Sequence, residues 1–218
     1  MSPWFKKDKD DDKARDGSGH DWFLPEDAVE PLRKQLDKHL RQEVDLALFT
    51  RAGENETHAE YARRFLEDLA RLSDRLKPRY LDADGEEAQG YGVTASPTIL
   101  IRPGTYDIAF LGAPLGEEGK SFLQAILLAS QEDAHVSDVS AEVLDKLDEP
   151  RLVQVFVNPA CPYCPDQVFH AVRAAIAKPG LVTAQCVETS ENPELADRYG
   201  VGSVPHTVFD QGAHDALG

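Results

Sequence analysis

The sequence predicts an α/β protein made of two tandem copies of one helix-and-strand unit. Tyr91-Gly92-Val93 is followed four positions later by Pro97, and Tyr199-Gly200-Val201 is followed in the same way by Pro205. Between these motifs, β-branched and aromatic runs typical of buried strands alternate with runs whose apolar residues recur every three or four positions, as in amphipathic helices. Such alternation favours a sheet covered by helices.

The interior spacing of the two copies agrees with a duplication. Pro97 lies 48 residues after Phe49, which ends one strand-like run, and Pro205 lies 49 residues after Phe156, which occupies the matching place. We therefore divide the chain into three parts, with a first unit at 25–134 and a second unit at 135–218. Residues 1–24 mix Lys, Asp, Gly and Ser without periodicity, which is typical of a disordered charged tail.

The first unit begins with a helix after Pro25, because apolar residues recur at helical spacing there. Its predicted elements are, in order, a helix with Val29, Leu32, Leu36 and Leu40 on one face, a strand at 45–50, a helix with Ala62, Phe65, Leu66, Leu69 and Leu72, and strands at 79–81, 98–101 and 108–111, followed by a helix at 122–130.

The second unit repeats this order. Its predicted elements are a helix at 141–147, a strand at 152–157, a helix with Val168, Phe169, Val172, Ala175 and Ile176, a strand at 181–187, a helix from Asn192-Pro193 to Gly200, and a strand at 206–209. Only 13 residues follow Pro205, so this copy is predicted to lack the last strand and helix of the first one.

The sequence Cys161-Pro162-Tyr163-Cys164 lies where the strand at 152–157 gives way to a helix. We expect Cys161 at the helix N-terminus, where unpaired amides and the helix dipole lower the pKa of a thiol. Cys164, one turn along, can then attack a mixed disulfide on Cys161, so the pair can cycle between dithiol and disulfide. A static disulfide and half of a zinc site are the alternatives.

Composition narrows the function and the compartment. The formal net charge is -16, which disfavours binding to phosphate backbones, so no nucleic-acid partner is expected. No apolar stretch is long enough for a signal peptide or a membrane span, so no membrane partner is expected. Three cysteines with one C-x-x-C pattern and no export signal favour redox chemistry in the cytoplasm.

Other polar residues near the second unit's strands bear on the chemistry. Alternation in the strand at 181–187 predicts that Cys186 is buried, although a third redox thiol is the alternative reading. Glu188 and Glu191 follow that strand, and such a carboxylate could take a proton from a resolving cysteine. In the first unit Glu54 and Thr57 occupy the places of the two cysteines, so that unit has no dithiol.

This order of elements around a C-x-x-C motif resembles the thioredoxin fold, and Cys161-Pro162-Tyr163-Cys164 is typical of glutaredoxins. Two tandem copies, the first without cysteines, resemble the glutaredoxin-like protein disulfide oxidoreductases and the N-terminal domain of the alkyl hydroperoxide reductase flavoprotein. The resemblance implies two tandem thioredoxin-like folds, with Val155 where thioredoxins carry a buried aspartate. It also implies a cis bond before Pro205 and a substrate-binding ledge formed by Val204 and Pro205, with Pro162 and Tyr163 beside it.

The expected function is thiol-disulfide oxidoreductase, acting on partner-protein disulfides through Cys161 and Cys164 without a cofactor or metal. The expected partners are protein disulfides and a thiol or flavoprotein reductase. An alternative role is an electron relay from a flavoprotein reductase to a peroxiredoxin. The chain has no Gly-x-Gly-x-x-Gly sequence, so any flavin is expected elsewhere. A second alternative is a non-catalytic module that binds metal or a partner.

Overall fold

The computed structural model describes residues 22–217. All the strands in this part of the chain belong to one eight-stranded sheet. The strands are β1 (Val44–Thr50), β2 (Leu76–Asp82), β3 (Thr98–Ile101), β4 (Asp107–Leu111), β5 (Arg151–Val157), β6 (Val182–Glu188), β7 (His206–Phe209) and β8 (His214–Leu217). The helices are α1 (Glu26–His39), α2 (Glu56–Leu72), α3 (Glu86–Gly90), α4 (Glu118–Gln131), α5 (Asp138–Leu144), α6 (Cys164–Ala177) and α7 (Pro193–Arg198).

The strand order β2-β1-β3-β4-β6-β5-β7-β8 shows the repeat directly. In the first half β1 pairs in parallel with β2 and antiparallel with β3, which pairs antiparallel with β4. In the second half β5, β6, β7 and β8 repeat these pairings. A parallel pairing of β4 with β6 joins the two halves into one sheet. The α/β class and the tandem thioredoxin-like order are confirmed.

Both faces of the sheet are covered, which explains why its strands read as nearly continuous apolar runs. In β1, Leu46 and Leu48 belong to one core, whereas Ala47 and Phe49 belong to the core on the opposite face. The first core is shared with α1, α2, α4 and α6, and the second with α3 and α7. None of the helices described in 22–217 is long and apolar enough to cross a membrane.

The residues just before α1 pack against the first unit. Residues 1–21 of the expected charged tail lie outside the described residues, but Trp22 and Leu24 are buried. The amides of Phe23 and Leu24 donate to Oδ2 of buried Asp68, at 2.7 and 2.8 Å. Trp22 and Leu24 therefore bury apolar surface against the first unit.

The C-terminal end of the second unit also differs from the prediction. β8 pairs antiparallel with β7, so the expectation that this unit lacks its last strand is wrong. All four β8 residues are exposed, and their short stretch has no apolar alternation by which to recognise a strand. Main-chain pairing alone defines it.

The aromatic contact between α4 and the sheet supplies a test of the packing. Phe122 is fully buried, and its ring meets the Phe110 ring edge-on at 5.1 Å between centroids. We expect Phe122→Ala to lower the free energy of unfolding by about 3–5 kcal/mol, because it removes this contact and leaves a cavity. The exposed Val143→Ala is the control, with an expected change within about 0.5 kcal/mol. Denaturant titration measures both, and equal effects of the two variants would contradict the packing.

Candidate redox site

A short folded loop connects the end of β5 to the start of α6 and carries the cysteine motif. Asn158 accepts two hydrogen bonds within this loop. Its main-chain carbonyl accepts from the Cys161 amide at 2.9 Å, and its side-chain Oδ1 accepts from the Ala160 amide at 3.0 Å. These bonds turn the chain back on itself immediately after the buried strand. The loop is therefore fixed on a rigid element, as a site that positions a reactive sulfur requires.

Cys161 and Cys164 form a disulfide, with their Cα atoms 5.5 Å apart. The helix begins at Cys164 rather than at Cys161, so Cys161 lies just ahead of the first turn. The expected electrostatic contact is nevertheless present, because the Cys164 amide donates to Cys161 Sγ at 3.2 Å. That amide is one of the helix N-terminal donors without an intrahelical partner, and it stabilises negative charge on the sulfur. Cys161 is 8% exposed and Cys164 is 0% exposed.

The first unit supports this loop through the segment that leads into α4. The Glu117 amide donates to the carbonyl oxygen of Pro159 at 3.0 Å. Gly116 has a φ of 56°, and a Cβ on it would collide with the same Pro159 carbonyl. A glycine is therefore required there both for the backbone conformation and for the close approach. The cysteine-free unit thus helps to fix the position of the cysteine loop.

The residues expected to bind substrate lie at the same end of the sheet. Phe156 near the end of β5 pairs with His206, the first residue of β7, which places Pro205 beside the strand end that leads to the cysteines. Val204 is partly buried and packs against the core that contains both cysteines. Pro162 and Tyr163 are exposed, Tyr163 by 73%. The Val204–Pro205 bond is cis, as the resemblance implies.

Three buried carboxyl groups gather behind this end of the sheet, and only two of them were expected. Glu188 Oε2 accepts hydrogen bonds from the Glu191 amide at 2.6 Å and from the Ser190 hydroxyl at 2.7 Å. Glu191 Oε1 accepts one from the Ala113 amide at 2.9 Å. Glu118, the first residue of α4, is the third. Sequence reasoning missed it because only the packing of α4 brings it to the second unit.

Burial shifts the titration of this group. The pKa of Glu118 is raised well above its usual value, first by burial and then by the charges of Glu188 and Glu191. Burial also raises the pKa of Glu191 to about 7; the hydrogen bond from the Ala113 amide lowers it, and the charge of Glu188 raises it by less. One oxygen on each of the three carboxyl groups has no hydrogen-bond partner in the described part of the chain. Glu118 and Glu191 therefore bind a proton more readily than exposed glutamates do.

The third cysteine is buried, as predicted, and faces the same cluster. Cys186 is 4% exposed, and its thiol pKa is raised well above the usual value by burial and then by Glu118 and Glu188. A buried thiol with a raised pKa is a poor nucleophile. Across residues 22–217, no three His, Cys, Asp or Glu side chains are arranged to hold a metal ion.

Comparison with known proteins agrees with this geometry. A family model described as a thioredoxin domain matches residues 151–218. Over 58 residues the chain is 31% identical to a thioredoxin of Methanocaldococcus jannaschii, and this stretch is 27% of the chain and 68% of that thioredoxin.

Two solved structures match most of the chain. One is the alkylhydroperoxide reductase AhpF of Enterococcus faecalis, with a TM-score of 0.78, 28% identity, and coverage of 90% of this chain and 94% of that one. The other is a protein disulfide oxidoreductase of Aeropyrum pernix, with a TM-score of 0.77, 26% identity, and coverage of 86% and 84%. The second half of the chain matches thioredoxin in sequence and carries its disulfide between β5 and α6. The chain therefore belongs to the thioredoxin family of thiol-disulfide oxidoreductases.

Proposed function

We propose that Cys161 is the nucleophile and Cys164 the resolving cysteine in reduction of partner-protein disulfides. The Cys161 thiolate attacks one partner sulfur, forms a mixed disulfide and releases the other partner sulfur as a thiolate. Cys164 then attacks Cys161 Sγ, which closes the Cys161–Cys164 disulfide and frees the second partner thiol. The observation that carries this assignment is the hydrogen bond from the Cys164 amide to Cys161 Sγ, and Cys161 also keeps 8% of its surface exposed whereas Cys164 keeps none.

The partner disulfide is proposed to reach Cys161 as an extended segment lying along Val204. The main-chain N–H and C=O of Val204 have no hydrogen-bond partner among residues 22–217, so both are available to another chain. Pro205 follows Val204 directly, and the exposed Pro162 and Tyr163 are proposed to contact the bound segment. Main-chain pairing of this kind binds peptides with little dependence on their side chains.

A relay role between a flavoprotein reductase and a peroxiredoxin is the more specific form of this proposal. Its support is the similarity to the alkylhydroperoxide reductase of Enterococcus faecalis, which extends over both units of this chain. In that role the reductase passes two electrons to the Cys161–Cys164 disulfide, and the resulting dithiol reduces the peroxiredoxin disulfide.

A dithiol maintained by a reductase suits the cytoplasm, and we place the protein there. We also retain the unit boundary at 134/135 as part of the proposal.

The buried carboxyl cluster is proposed to take the proton that Cys164 must lose before it attacks. Val155, in the place of the thioredoxin aspartate, pairs across the strands with Cys186, which in turn lies in the field of Glu118. Glu118 begins α4, and α4 packs on α6, the helix that Cys164 begins. Glu118, in the neighbouring unit, thus acts electrostatically on Cys186, the cross-strand neighbour of Val155. Glu118 Oε1 has no hydrogen-bond partner among the described residues, so this oxygen can accept the proton.

Cysteine variants test the catalytic assignment. We expect Cys161→Ser to abolish reduction of a protein disulfide, because no thiolate remains to attack it. We expect Cys164→Ser to accumulate a mixed disulfide with the partner, visible by non-reducing electrophoresis and mass spectrometry. Cys186→Ala, at the buried third thiol, is the control and should retain full turnover. Undiminished turnover by the Cys161 variant would sink the assignment.

The raised pKa of Glu191 predicts a pH-dependent stability. The folded protein binds the Glu191 proton more tightly than the unfolded chain, so this contribution is complete below about pH 4.5 and is lost as the pH rises towards about 7. Glu191→Gln cannot ionise but retains an oxygen that can accept from the Ala113 amide. Denaturant unfolding across this range should therefore show a shallower fall in stability for the variant than for the wild type. Parallel curves would contradict the assigned shift.

A further inference from the structure

Ser96 and Val204 hold equivalent positions in the two units but differ in what their main chain contacts. Each residue precedes a proline and the strand that pairs antiparallel with the central strand of its unit. The Val204 N–H and C=O are unpartnered within 22–217. The Ser96 N–H instead donates to Glu54 Oε1 at 3.0 Å, and the Ser96 C=O accepts from Asn55 Nδ2 at 2.9 Å. The chain's own side chains use the donor and the acceptor of the first unit's ledge.

Glu54 is held in this position by a second contact. Its other carboxylate oxygen is paired with the Arg51 guanidinium, which also bonds Asp84 Oδ1 at 2.8 Å. The Arg51 amide donates to the Ser96 hydroxyl at 2.8 Å. The carboxylate therefore approaches Ser96 in a fixed orientation, from the position that Cys161 holds in the second unit.

Asn55 extends the same arrangement to the second unit. Its amide nitrogen donates to the Ser96 carbonyl and also to the Glu191 carbonyl, at 3.0 Å, so both of its hydrogens are used. Its φ is 47°, in the left-handed region that asparagine tolerates better than most residues. The closed ledge is thus tied to the loop that carries one of the buried carboxyl groups.

We propose that Glu54 and Asn55 act as an internal occupant of the first unit's peptide ledge, leaving Val204 as the single ledge at which an extended peptide binds. A carboxylate oxygen replaces the peptide carbonyl and a side-chain amide replaces the peptide N–H. The inference rests on the proposed function, because it takes Val204 as the place where a peptide pairs. It follows that removing both side-chain groups opens a second peptide site that has no thiol chemistry.

Hydrogen exchange of the two backbone amides, followed by NMR, tests closure of the ledge. In the free wild-type protein the Ser96 amide should exchange more slowly than the Val204 amide. Glu54→Ala should speed exchange at Ser96 by on the order of tenfold, since one hydrogen bond is lost. Glu54→Gln retains an acceptor oxygen and should preserve the protection, and Glu56→Ala removes a neighbouring charge without a contact to Ser96. Equal exchange at Ser96 in the wild type and Glu54→Ala would overturn the inference.

Peptide titration of the Glu54→Ala/Asn55→Ala double variant tests the opened site. The probe is an extended cysteine-free peptide, and we expect chemical shifts at Ser96 to move in the double variant but not in the wild type. A change of the Ser96 chemical shifts in the wild type would overturn the inference. Unchanged Ser96 chemical shifts in a folded double variant would overturn it as well.

The proposed function is decided separately in the Cys164→Ser protein, trapped as a mixed disulfide with a cysteine-containing peptide. There the Val204 amide should become protected while Ser96 stays as it was. An unprotected Val204 would remove the proposed ledge of the second unit, whatever the Ser96 result.

Discussion

The hydrogen bond from the Cys164 amide to Cys161 Sγ is the interaction on which the redox site depends. It exists because β5 ends at Val157 and the loop brings Cys161 in front of the first turn of α6. The main-chain N–H groups of that turn have no partner within the helix. Both cysteines are buried, Cys161 with 8% of its surface exposed and Cys164 with none. The proposed order of attack, with Cys161 first, follows from the hydrogen bond to its sulfur and from this small remaining exposure.

The first unit contributes to the site without performing the chemistry. Its segment before α4 fixes the cysteine loop at Pro159, and α4 places Glu118 among the carboxyl groups of the second unit. Its own cysteine positions hold Glu54 and Thr57, and its ledge at Ser96 is occupied from within. A duplicated unit without thiols thus keeps the common strand order and the surfaces that pack against the unit with the disulfide.

Sequence patterns predicted β1 to β7, most helices and the dithiol because these depend on local periodicity and on the motif at 161–164. They did not predict Glu118, which joins the site only through the packing of α4 on α6. Nor did they predict β8, whose exposed residues pair through the main chain. Asn55 was missed for the same reason as Glu118, since its partners are 41 and 136 residues away.

The thiol pKa of Cys161 in the reduced protein tests the central interaction most directly. It can be measured from the pH dependence of thiolate ultraviolet absorbance and of alkylation rate, with Cys164→Ala isolating the Cys161 thiol. The account predicts a pKa clearly below the value of about 8.5 for a free cysteine, because the helix N-terminal amide stabilises the thiolate. A Cys161 pKa at or above about 8.5 would contradict it.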